Sequence, residues 1–93
     1  AGPNHVFSTS YYERAIEVAE KSIVSAEKLI SKMTDLLNAT VKLSAFSWSG
    51  GSVVREQQTI LREKIQELLK FKDETMPKLL AKIRNEMQGK PAG

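Results

Sequence analysis

The chain of 93 residues has no cysteine, one histidine, three prolines and five glycines. Without thiols there is no disulfide, no thiolate metal site and no cysteine nucleophile, so packing or association alone must hold so small a domain together. With His5 the only imidazole and no Gly-rich phosphate loop, neither a metal site nor a nucleophile–base pair can be assembled. The sequence therefore reads as non-enzymatic, with no catalytic, metal-binding or cofactor-binding residues. Aromatic residues make up 6%, too few for a sandwich or barrel in a chain with so little glycine. No apolar run approaches the ~20 residues needed to span a bilayer. The charge balance, 14 Lys+Arg against 11 Asp+Glu, is a mild excess and not the dense basic patch of a nucleic-acid binder.

What the sequence does have is helical periodicity. Ser10-Tyr11-Tyr12-Glu13 has the Ser-x-x-Glu layout of a capping box, in which hydroxyl and carboxylate each satisfy a free N–H at a helix start. From Tyr12 onward, Ile16, Ala19, Ile23, Ala26, Ile30, Met33, Leu37 and Thr40 alternate steps of four and three, the signature of a heptad seam. Leu29, Leu36 and Leu43 lie beside that seam, seven apart, with Ala15, making the apolar face wider than a two-stranded coiled coil requires. The absence of Pro and Gly between residues 10 and 49 predicts one helix of about 35 residues, about 50 Å long at 1.5 Å per residue. Trp48-Ser49-Gly50-Gly51-Ser52 then breaks it, with Gly to end the first helix and Ser52 to cap the second. Val54, Leu61, Ile65, Leu68 and Leu69 form a second stripe, continued by Met76, Leu80, Ile83 and Met87. Lys72 and Thr75 fall where that seam should run and Pro77 removes a backbone donor, so a kink or short break is expected at residues 73–77.

The expected fold class is all-α: an antiparallel two-helix hairpin, pairing into a four-helix bundle because a lone hairpin would leave the wide face of its first helix wet. Residues 1–9 read as a flexible leader, 10–88 as a single hairpin domain with its turn at 48–52, and 89–93 as a flexible tail. The packing and interface residues are Ile16, Ala19, Ile23, Ala26, Leu29, Ile30, Met33, Leu36, Leu37, Leu61, Ile65 and Leu68. Tyr11 and Tyr12 are expected to pack as a staple at the helix start. Glu17 with Lys21, and Glu74 with Lys78, have the spacing and order of helix salt bridges. Asn38-Ala39-Thr40 matches a glycosylation acceptor, but its place inside a helix makes the match a coincidence.

One tripeptide carries more than architecture. Trp48-Ser49-Gly50 places the only Trp of the chain, two residues before a Gly, in the turn of a helical hairpin of about a hundred residues. That combination resembles the WXG family, the early-secreted-antigen-like proteins exported by type VII secretion systems. The resemblance implies homo- or heterodimeric four-helix bundles, with Trp48 and Gly50 forming a recognition turn that supplies part of an export signal. It further implies a type VII secretion substrate, or a targeting partner or chaperone of one. The partners would be the chain itself or a related hairpin, and a secretion apparatus. No Tyr-x-x-x-Asp/Glu, the other part of that signal in the family, occurs in these residues.

The rival reading is an intracellular coiled-coil or helical-bundle adaptor, a fragment of a larger protein. The two differ in location, secreted against cytoplasmic. Residues 1–47 carry five basic and five acidic groups and residues 48–93 nine and six. A basic amphipathic segment over 76–90 is thus a third possibility, a binder of anionic lipid. Its stripe continues the second helix, however, so its expected partner is the first helix around Tyr12, Ile16 and Ala19, and membrane binding is not expected.

Overall fold

The computed structural model describes residues 9–46 and 51–89. They form α1 (Thr9–Phe46), α2 (Gly51–Lys70), a π-helical turn (Phe71–Thr75) and α3 (Met76–Met87). α1 packs along both α2 and α3, so the architecture is an all-helical hairpin whose second arm is α2, the π turn and α3 in one line. Its dimensions are 68 × 21 × 19 Å. Trp48 and Gly50 lie outside the described residues.

The helix boundaries differ slightly from those read in the sequence. α1 starts at Thr9 and ends at Phe46, and α2 already includes Gly51 and Ser52. Ser10 and Ser52 therefore lie within first turns and not at the cap positions assigned to them. α3 is closed by Gly89, whose φ of 74° lets its N–H donate to the Glu86 carbonyl at 2.9 Å. That left-handed conformation is cheap only for glycine.

On α1 every seam position from Tyr12 to Thr40 is at least half-buried, and Ala19 and Ala26 are fully so. The two alanines let the arms approach closely. Facing Ala19 are Met76 and Leu80, with Ile16, Ile23 and Phe71 around them. Near the turn the seam carries a polar residue. Gln58 is 6% exposed, and its Nε2 donates to Thr40 Oγ1 at 3.5 Å while that hydroxyl donates to the Leu37 carbonyl at 2.7 Å. Tracking only apolar side chains misses Gln58, although the four–three alternation from Val54 to Leu61 passes through it.

The π turn has a positional logic. Val54, Gln58, Leu61, Ile65, Leu68 and Lys72 alternate steps of four and three, and none of them is exposed. Continued, the alternation would bring Thr75 and Leu79 inward, yet both are exposed, and Met76, Leu80 and Ile83 face α1. The inward set has moved by one residue. In the π turn the Met76 N–H donates to the Phe71 carbonyl five residues back, enclosing one residue more than an α turn. The turn thus absorbs the extra residue and returns α3 to the seam. Pro77 sits at the start of α3, where its missing N–H and its ring would otherwise disrupt α-helical bonding to the preceding turn. Glu74 and Lys78, the other pair read from the sequence, are not among the ion pairs of the described residues. Lys72, at the seam position, lays its stem over the apolar residues and reaches Asp73 Oδ1 with its ammonium, which raises the lysine pKa.

Candidate interaction surface

The core of the hairpin is thin. Among the described residues only Ala19, Ala26, Met76, Leu80 and Gln58 are buried, and no large side chain is completely enclosed. A rod two helices wide has no interior, so every helix face turned away from the seam meets water.

One of those faces carries most of the exposed large apolar side chains, among polar and charged ones. Three open grooves run between the arms on the same side of the hairpin. The first is lined by Tyr11, Ala15, Val18 and Ser22 of α1 and by Met76, Leu79 and Ile83 of α3. The second passes Val18, Ser25 and Leu29 to Leu68 and Phe71, and the third joins Leu29 and Met33 to Leu68 and Phe71 beside Lys64 and Glu67. Leu36 and Leu43 follow Leu29 at intervals of seven, and Ile60 and Val53 precede Glu67 at the same interval, so helical register carries the face on toward the turn. Leu29 is 46% exposed, Leu36 53% and Leu43 66%. Val18, Val53, Ile60 and Leu79 are exposed as well.

The twelve sequence-derived packing residues divide accordingly. Ile16, Ala19, Ile23, Ala26, Ile30, Met33, Leu37, Leu61, Ile65 and Leu68 lie between the arms or at the groove floor, while Leu29 and Leu36 lie on the open face. Tyr11, expected in a packed staple, is instead 59% exposed and lines the first groove. Tyr12, one residue on and therefore turned about 100° around the helix, takes the half-buried seam position. Val18, Val53, Ile60 and Leu79 were missed. The signal for them lay in a second four–three series displaced by one residue from the seam, interrupted on α1 by Ser22, Ser25 and Lys32 and on α2 by Gln57, Lys64 and Glu67. Ser22 does little to make that series polar, because its hydroxyl is turned back to the Val18 carbonyl at 2.8 Å.

The rim of the face is charged. On α1, Glu17 Oε1 lies 2.8 Å from Lys21 Nζ and 3.5 Å from Arg14 Nη1. The hydrogen bond from Lys21 and the two positive charges hold the Glu17 carboxyl below its ordinary range, and the same bond raises Lys21. Lys64 and Glu67 pair at 3.3 Å on the second arm. The opposite side of the hairpin carries Glu20, 3.4 Å from Arg84, and is otherwise mostly polar. Among the described residues no group of three His, Cys, Asp or Glu could hold a metal ion, and no helix is long and apolar enough to cross a membrane. Comparison with protein-family models, curated proteins and solved structures finds no match to this chain.

Proposed function

We propose that this protein is a non-enzymatic helical hairpin that acts by pairing, with itself or with a related hairpin, into a four-helix bundle. The observation that carries the reading is the row of apolar side chains from Tyr11 to Leu43 on α1, interrupted by Ser22, Ser25 and Lys32, beside Val53, Ile60, Phe71 and Leu79 on the other arm. Such a face is stabilised by removal from water, and two hairpins laid face to face remove it on both at once. The Trp48-Ser49-Gly50 tripeptide supports the narrower reading of a WXG-like chain, a type VII secretion substrate or its targeting partner, with Trp48 and Gly50 as the recognition turn.

Sedimentation equilibrium between 1 and 100 µM tests the pairing. A dimer mass that Leu36→Glu reduces to 10.4 kDa is the expected result, since the charge would have to be buried unpaired. A cooperatively melting, fully helical monomer at every concentration overturns self-pairing and leaves a hetero-partner, to be sought by co-expression with neighbouring genes, or a hairpin that works as a monomer.

A further inference from the structure

The apolar pattern of the second arm leaves the place of the inserted residue open. If the insertion came earlier, every seam residue after it would give way to its next neighbour in the chain. Ile65 would give way to Gln66, which bars any place before it. Leu68 would give way to Leu69, which is also half-buried, and Lys72 to Asp73. An insertion after Met76 would instead turn Thr75 inward in its place. The extra residue therefore fits the seam anywhere between Ile65 and Met76, yet it is taken up at Phe71–Thr75, the last place available.

The residue that follows explains the choice. Pro77 stands in the first turn of α3, where a missing N–H is tolerated and the fixed φ suits the helix. With the π turn one turn earlier, α-helical bonding would run through Pro77 and press its ring against the carbonyl of Asp73, four residues back. Exchanging Leu68 for Leu69 leaves the apolar content of the seam unchanged. Asp73 is the poorer seam residue only because it lacks the long stem that Lys72 lays over its neighbours. The seam thus distinguishes the two places weakly and the proline strongly.

The choice also shapes the open face. Phe71 packs against the cluster of Ala19, Met76 and Leu80 and lines the second and third grooves. An earlier π turn would rotate Phe71 by about 100°, away from both, and bring Lys72 into its position.

We infer that Pro77 is a register lock. It holds the inserted residue at Phe71–Thr75, and so keeps Phe71 rather than Lys72 on the open face, against a competing register that seats Leu69 and Asp73 between the arms. The lock operates within one hairpin and does not depend on pairing.

Asp73→Leu, made alone and together with Pro77→Ala in the full chain, tests it by NMR. Position 73 is exposed in the observed register and inward in the competing one, so a leucine there favours the competing register once the proline is gone. Nuclear Overhauser contacts from the Phe71 ring to Ala19 and Met76 should persist in Asp73→Leu and fall by about half or more in the double variant, as the competing register becomes the major state. In Pro77→Ala alone the competing register should be a minor state, read as relaxation dispersion at Phe71 that the unsubstituted chain lacks. Undiminished Phe71 contacts in the double variant overturn the lock. Their loss in Asp73→Leu with Pro77 still present overturns it too, since the proline would then not be what holds the register. A double variant that no longer melts cooperatively shows that the second arm has no competing register on α1, and overturns the inference as well.

Discussion

Replacing Gln58 with leucine should stabilise this protein. Gln58 is 6% exposed, and its bond to Thr40, at 3.5 Å, is at the long limit of hydrogen-bond geometry. An ordinary neutral bond contributes about 0.5–1.5 kcal/mol net, and a bond this long belongs at the bottom of that range. A buried leucine side chain contributes about 1.5–3 kcal/mol relative to an exposed one, at nearly the volume of glutamine. The balance favours leucine by about 1–2 kcal/mol. For a chain of 93 residues that is a rise in melting temperature of about 4–16 °C, read by circular dichroism at fixed protein concentration. Thr40→Val should do the reverse, removing the acceptor of Gln58 and costing about 1 kcal/mol, yet should cost less in the Gln58→Leu background. The double-mutant cycle isolates that difference. Loss of more than about 1 kcal/mol in Gln58→Leu would show that the polar pair is a net stabiliser and refute the reasoning. If the pair instead fixes register at some cost in stability, as buried polar residues do in coiled coils, then Gln58→Leu should melt higher and also populate more than one oligomeric species.

Deleting Asp73 together with Pro77→Ala should restore unbroken four–three alternation along the second arm and leave the melting temperature within a few degrees, while deleting Gln66 together with Pro77→Ala should take Leu68 and Lys72 off the seam and lower it further. By NMR, Glu17 should titrate below the ordinary 4.5 and return toward it in Lys21→Ala. Because its folded pKa is lowered, the stabilisation from this pair is present above the ordinary glutamate value and is lost as pH falls through the lowered one. Trp48→Ala should weaken partner binding by 2 kcal/mol or more, as a hot-spot residue does, with helicity unchanged. A melting penalty of about 3–5 kcal/mol would mark the indole as core instead.

Most of the hairpin is legible in the sequence because α1 is regular. Nine seam residues from Tyr12 to Thr40 keep one alternation without a helix breaker, and only the helical period satisfies it. Its ends are less legible. Ser10 and Ser52 look like caps, but an N-cap depends on where the preceding chain leaves the helix, which lies outside the local pattern. The second arm shows the harder problem. Lys72, Thr75 and Pro77 signal an irregularity that is equally compatible with a kink and with an inserted residue. Only comparing Val54 through Lys72 with Met76 through Ile83 reveals a displacement of one residue, which a π turn provides. The open face was partly legible: Leu29, Leu36 and Leu43 announce themselves by their spacing, whereas Val18 and Leu79 are separated from their neighbours by Ser22, Ser25, Lys64 and Glu67. Those polar residues hide a face that side-by-side packing of the arms assembles.

The thinness of the core ties stability to association. Ala19 and Ala26 let the arms approach, but their short side chains bury little surface, and many large apolar residues, Leu29, Leu36, Leu43, Val53 and Ile60 among them, are left exposed. A hairpin built this way gains from its own seam less than a compact domain of the same length would, and pairing supplies the remainder. Its melting temperature should therefore depend on its concentration, since each tenfold increase adds about 1.4 kcal/mol to the stability of a dimer relative to unfolded monomers. Spread over the two chains, that is about 3–6 °C per decade. Calorimetry from 10 µM to 1 mM reads it directly. A melting temperature constant over that range, with calorimetric and van't Hoff enthalpies equal for a single chain, would mean that the seam suffices alone and that the open face serves some purpose other than self-pairing.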